Sequence, residues 1–484
     1  MPLELPGTGS YWLVRFIFQR GLALVYLIAF LVAVTQYRAL LGEDGLLPLE
    51  RYVDSAGWKE RPSLFYIFDS DRAIQTAAWT GVGLSLLALT GASEQFGMLV
   101  SVMVWTLLYV LYLSFVNAGQ LFYGYGWESM LLETGFVAIF LGAFDTATPF
   151  LTLLLLRWVL FRNMFGAGLI KLRGDDCWRD LTCMDYHYET QPMPNPLSWF
   201  FHHLPDRFHR IEVAVNHVME LAVPFLYVAP QPFAAIAGVA TILFQAWLML
   251  SGNFAFLNLL TIVLAVATFS DSMLAFLPLQ APTVAPVPPA QHAAVIALTA
   301  ITAVLSVDPV RNMLSSRQRM NWSFNPLHIV NTYGAFGSIT RERYQLVIEG
   351  THEEHPSRED WEEYTFKGQP VETGVLPPQW APYHLRLDWQ LWFAAMQPRP
   401  TRRQQWLFAL LAGLLRNDED ALSLIAHNPF PEEPPEQLRV RRYRYEFTSP
   451  EERRETRDWW DRELVNEYLR PVSLDDPQFR RISG

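Results

Sequence analysis

The residues of this chain that could do chemistry are a lysine at the end of an apolar run, two cysteines and a scatter of histidines. Lys171 closes the run Phe150 to Ile170, and a lysine held among helices can lose its charge by desolvation and act as a base. His217 and Glu220 stand three apart on one helical face, just before Pro224. With Lys171 they form the candidate catalytic set if the chain is an enzyme. Cys177 and Cys183 bracket WRDLT. That spacing permits a small-loop disulfide in an oxidising compartment and equally two reduced packing cysteines, but it is not the CxxC of thiol-exchange catalysts. His187, His202, His203, His209 and His217 are irregularly spaced with no HExxH pattern, so no metal site is expected. No motif asks for a cofactor.

A second set of residues matters because of where it sits. Glu128, Glu133, Arg157, Arg162, Lys171 and Glu220 lie in or at the edges of apolar segments, where an ionised side chain costs at least about 2.5 kcal/mol unless paired or able to reach water. Glu128 and Glu133 can meet Arg157 or Arg162 on the following helix. Such a network either only fixes helix packing or lines a polar site in which Lys171 is the reactive member. As a helix-terminal cation, Lys171 can also pair with Asp175, Asp176 or Glu220 and serve as a charge anchor.

The elements that must position these groups are membrane helices. The chain is 51% hydrophobic and 14% aromatic, and the excess is concentrated before Val307. The apolar run Leu22 to Val34 follows Arg15 and Arg20 but precedes no small-residue cleavage site, so it reads as a first span rather than a removable signal. With Ala73 to Leu89, Gly97 to Phe115, Met130 to Phe144, Phe150 to Ile170, Ala214 to Val228, Phe233 to Met249, Phe254 to Leu279 and Ala290 to Val307, about nine spans are expected. Met130 to Phe144 is short, and Phe254 to Leu279 is long with Asp271 inside it, so either can be tilted or re-entrant. The fold class is thus a polytopic α-helical membrane bundle followed by a mixed, β-rich soluble domain. The bundle is assigned to 1–310, with structured loops at 36–72 and 171–211, and the soluble domain to 311–484. An inside N-terminus and an odd span count put the latter on the exoplasmic side.

In that domain, Tyr344 to Ile348, Glu363 to Phe366 and Arg441 to Phe447 read as strands, and Gln390 to Met396, Gln404 to Leu415 and Ala421 to Ala426 as helices. Its tryptophans, Trp361, Trp380, Trp389, Trp392, Trp406, Trp459 and Trp460, read mostly as core. A net charge of −11 without a long basic run excludes a nucleic-acid partner and leaves the lipid bilayer as the one partner composition implies.

Longer runs carry a resemblance. GYGWESMLLETGF, GDDCWRDLTCMDYHYETQPMPNPLSW, NTYGAFGSITRERYQLVIEGT, EYTFKG, APYHLRLDWQLWFAA, NPFPEEPP and RDWWDRE resemble the lipase maturation factor family from about Tyr11 to Pro471. The resemblance implies a polytopic chaperone of the endoplasmic reticulum membrane that helps secreted lipases mature, with a client lipase as partner, a lumenal C-terminal domain and no catalytic turnover. In a bacterial source the corresponding place is the cell membrane. A shorter stretch, Gly166 to Leu172 with Val218 to Phe225, is similar to the membrane domain of vitamin K-dependent carboxylases. There a lysine matching Lys171 is implicated as a base, which implies an alternative membrane enzyme with a quinone or lipid pocket. No other carboxylase motif is present.

Overall fold

The computed structural model describes residues 9–50, 52 and 57–476. Each predicted span contains a helix: α1 (Trp12–Leu41), α2 (Asp71–Leu89), α3 (Met98–Ala118), α4 (Gly126–Ala138), α5 (Phe150–Arg173), α6 (Asp206–Leu221), α7 (Phe233–Ser251), α8 (Leu257–Val266) and α9 (Pro289–Leu305). Among the described residues six helical segments are long and apolar enough, by length and composition, to cross a membrane: α1, α3, α5, α7, Asp206–Val228 and Pro289–Leu314. Asp206–Val228 comprises α6 and a 3-10 turn over Val223–Val228, where Pro224 supplies no backbone N–H to continue the α-helix. α4 and α8 have 13 and 10 residues, short of the roughly 20 that a span requires.

The ends of these helices alternate between two loop layers. On one side, Phe144 accepts from the Trp12 indole, Thr146 from Arg15, and Ala285 from the Ala147 amide, while Gln231 donates to Thr268. On the other, Arg38 pairs with Asp420, Asn117 donates to Pro62, Arg173 to Met313 and Asn253 to Pro378. The start of α1 therefore lies on the layer opposite the C-terminal region. At 30 residues α1 is about 45 Å long and exceeds a hydrocarbon core of about 30 Å. Its last turns project beyond that core and meet the C-terminal region. The loop over 36–72 is packed at several points, with Ser63 donating to Ser114 and Glu43 accepting from Asp71; its residues 51 and 53–56 lie outside the described ones.

Asp271 explains why the expected long span is interrupted. α8 stops at Val266, the chain turns, and the Asp271 carboxylate accepts from the Trp12 amide at 2.8 Å, the Val14 amide at 3.2 Å and the Ser10 hydroxyl at 2.6 Å. It caps α1 from a distant part of the chain, supplying acceptors for N–H groups that no upstream carbonyl can reach.

The C-terminal domain is built on two small antiparallel sheets. Strands β1 (Arg343–Thr351), β2 (Glu362–Glu363), β5 (Gln437–Phe447) and β6 (Trp460–Val472) form one in the order β2-β1-β5-β6; β3 (Thr365–Phe366) and β4 (Ile425–His427) form the other. Val347 faces Arg441 and Tyr445 faces Arg462 across the ladders. The alternation in β5 turns Tyr443, Tyr445 and Phe447 into the core. Helices α10 (Arg386–Ala395) and α11 (Gln405–Leu414) intervene between β3 and β4. Sequence reasoning missed β6, whose burial has no period-2 alternation because it is an outer strand. The expected helix Ala421 to Ala426 is shorter, Glu419–Ser423, because Ile425 and His427 pair with β3.

Replacing Asp271 by Ala should destabilise the folded protein by about 0.5–2 kcal/mol, the usual cost of losing an N-cap. Denaturant titration in detergent micelles measures this, and an unchanged midpoint would mean the cap contributes nothing.

Candidate functional site

Two buried charge clusters join the bundle to the C-terminal chain. In the first, both Nη atoms of Arg162 on α5 donate to the Glu133 carboxylate on α4, one of them at 3.2 Å and the other in a closer ion pair. Glu133 Oε2 also accepts from the Tyr333 hydroxyl at 2.7 Å and from the Asn331 amide and side chain, each at 3.1 Å. In the second, Glu128 pairs with Arg386 of α10 at 2.8 Å and accepts from the Tyr112 hydroxyl. Arg386 also donates to the Phe122 carbonyl and lies 3.4 Å from the Tyr123 ring centroid. Glu128 thus meets neither Arg157 nor Arg162. Arg157 has no carboxylate partner in these clusters; it donates to the carbonyls of Ala267 and Tyr227 at 2.8 and 3.0 Å, where helices end and carbonyls are unmet.

The third cluster lies within the bundle side. Lys171 Nζ donates to Glu220 Oε1 at 2.6 Å and Asn216 Oδ1 at 3.0 Å, and Asn216 Nδ2 returns a bond to Glu220 Oε2 at 3.1 Å. The ammonium sits 4.7 Å from the Trp178 ring centroid. Close approach of α6 to α5 needs the glycine in Gly166-Ala-Gly168: a Cβ on Gly168 would come within 2.9 Å of Glu220 Cβ. His217 is turned away from Lys171; its Nε2 bonds the Trp178 carbonyl at 2.8 Å. Asn216, four before Glu220, was the member missed, although it shares that helical face. A cavity of about 440 Å³ adjoins this cluster, lined by Lys171, Asn216 and Glu220, by His187 and Phe336, and by apolar side chains of α5, α6 and α7.

The loop over 171–211 folds between bundle and sheet. Cys177 and Cys183 form a disulfide with Cα atoms 4.8 Å apart. The Trp178 indole donates to Phe336 O, Asp175 pairs with Arg341, and Arg343 donates to Gln191 O at 2.6 Å. His209 bonds Asp185 and Phe201 O, His203 bonds Trp199 O, and no group of three metal-ligating side chains is found among the described residues. Burial, with the Lys171 charge nearby, pushes His187 down to about 3, so its imidazole is neutral. Burial raises Glu189 to about 7, only partly offset by the Phe447 amide that donates to it at 2.7 Å.

Residues 13–276 match a family profile described as "Lipase maturation factor transmembrane domain", and residues 329–470 one described as "Lipase maturation factor C-terminal domain". The chain is similar to lipase maturation factor 1 of Mus musculus, at 42% identity over 98% of this chain and 90% of that protein, and of Homo sapiens, at 43% over the same shares. Lipase maturation factor 2 of Homo sapiens is 29% identical over 96% of this chain and 83% of its own length. No solved structure matches.

Two outcomes follow from these geometries. Arg386→Met should cost about 3–5 kcal/mol by leaving Glu128 buried and unpaired, and adding Glu128→Leu should restore most of it; equal losses in the single and double variants would mean that the charge pair is not the cause. For Glu189, the folded state keeps a proton between the ordinary carboxyl range and about 7 that the unfolded chain has released. Stability therefore falls as pH rises through that window, by up to about 3 kcal/mol, and levels above it. Denaturant titration between pH 4.5 and 8 should show this slope in the wild type and a reduced one in Glu189→Gln.

Proposed function

The chain belongs to the lipase maturation factor family, and from that premise we propose that it is a non-enzymatic folding factor that assists the assembly of secreted lipases. The observation that carries this reading is the extent of the similarity, which covers the apolar helices and the C-terminal sheets alike. Its seat is the endoplasmic reticulum membrane where the cell has one, and the cell membrane in a bacterium. We take 1–310 as the membrane domain and 311–484 as the client-facing domain.

The exoplasmic side suits the C-terminal domain on two grounds. The contacts of Asp175, Trp178 and Gln191 with residues 336–343 put the 171–211 loop and that domain in one layer. A disulfide in that loop suits an oxidising compartment. Exposed apolar side chains on the domain, among them Val375, Leu376, Phe393, Leu464 and Val465, offer surface for a partly folded client. The tryptophans supply less of it: Trp389, Trp406 and Trp460 are buried.

The alternative, a membrane enzyme working through Lys171, His217 and Glu220, draws support from the cavity beside Lys171. Against it, His217 faces the Trp178 carbonyl, and the ammonium is clamped between a carboxylate and an amide oxygen. That arrangement suits an anchor between α5 and α6.

Expression in cells deprived of their own lipase maturation factor should restore secretion of active lipase, and Lys171→Arg should do so equally, since arginine keeps the charge but cannot act as a base. No rescue by the wild type would remove the folding-factor reading. Rescue lost in a normally folded Lys171→Arg would favour the enzyme. A reporter active only in the cytosol, fused after Gly484, should be silent; activity would reverse the orientation.

A further inference from the structure

The cavity walled by α5, α6 and α7 plays no part in presenting a domain to a client, and it differs from a packing defect. Defects in cores are apolar throughout and stay empty. This one, at about 440 Å³, falls in the size range of ligand sites, with an apolar wall and polar groups converging at one end. There the Lys171–Glu220 pair, cross-linked by Asn216, forms a compensated charge with two of the three ammonium donors engaged.

Beside it stands His187, 7% exposed, its ring stacked on Phe254 and edge-on to Phe336. No hydrogen bond to either ring nitrogen is found among the described residues, and neither nitrogen is fully shut off, so both keep access to the cavity that His187 lines. A neutral imidazole carries one donor and one acceptor, so a hydroxyl or carbonyl oxygen entering the cavity can be met there. At the other end the wall opens. Ile211 and Val215 on α6 and Leu243 on α7 are 59%, 47% and 65% exposed and line the mouth. They belong to segments long and apolar enough to span the membrane, so the mouth faces hydrocarbon rather than water.

We propose that this cavity binds an uncharged single-chain membrane lipid whose head carries hydroxyl or carbonyl oxygens, a long-chain alcohol or a monoacylglycerol. The head meets His187 and the third donor of Lys171, and the chain runs along the apolar wall and out through the mouth. A carboxylate head would face Glu220 and Glu212 and be desolvated at a cost. At about 30 Å³ for each water-sized group, the volume takes roughly 15 such groups, enough for a head and part of one chain but not for two chains. This binding is independent of whether the protein matures lipases.

The full chain in phosphatidylcholine nanodiscs is irradiated with hexadecanol bearing a mid-chain diazirine, and labelled peptides are mapped by mass spectrometry. Label should concentrate in 206–221 and 233–251 and be competed by monooleoylglycerol at concentrations at least about tenfold below those needed with oleate, the factor expected for about one charge-neutral hydrogen bond. Val215→Trp, at the exposed mouth where no core must repack, should abolish it. His187→Phe should weaken it about tenfold, with gel filtration verifying the fold. Label spread evenly over the lipid-facing helices, or unaffected by Val215→Trp, would overturn the site. Oleate competing as well as monooleoylglycerol, or undiminished labelling of a folded His187→Phe, would overturn the uncharged head seated at His187.

Discussion

A carboxylate in a low-dielectric bundle has to find a counter-charge and hydrogen-bond donors, and Glu128 finds its cation, and Glu133 part of its donor set, outside the bundle. Both are fully enclosed, so neither can be solvated by water. Glu133 is satisfied by Arg162 from the next helix together with Asn331 and Tyr333; Glu128 depends on Arg386. The C-terminal region therefore completes the electrostatics of the helices rather than hanging beneath them. Removing one side leaves the other with charges that it cannot bury.

The Lys171–Glu220 pair obeys the same rule with a different result. Both members are within the helices, and Asn216 fills the remaining valence. No group from the sheets is needed, so one side of the pair is left for a cavity. The self-sufficient cluster has a cavity of about 440 Å³ beside it.

Much of this organisation could be read from residue types. Apolar runs located the helices, and the misplaced charges Glu128, Glu133, Arg162, Lys171 and Glu220 marked places where partners had to converge. Residue types could not say which partner arrives, because long-range pairing is decided by packing: Arg386 lies in an ordinary amphipathic stretch, and Asn331 and Tyr333 in a glycine-rich one. Asp271 misled for a related reason. A charge within an apolar run reads as a flaw in a span, whereas here it lies past the end of one helix and caps another. His187 was one histidine among several, and only its place on the cavity wall sets it apart.

The separation between Glu128 and Arg386 also bears on how the chain is made. The two lie 258 residues apart, so at about 5–20 residues per second a ribosome needs roughly 13–50 s to deliver the arginine after the glutamate has emerged. Through that interval α4 carries a carboxylate without its cation and has to keep it neutral or in contact with water. Glu133 waits only 29 residues for Arg162. The bundle is thus assembled in two instalments, the second of them gated by the arrival of α10, and a nascent chain stalled before Arg386 would expose its insertion machinery to an unfinished helix pair.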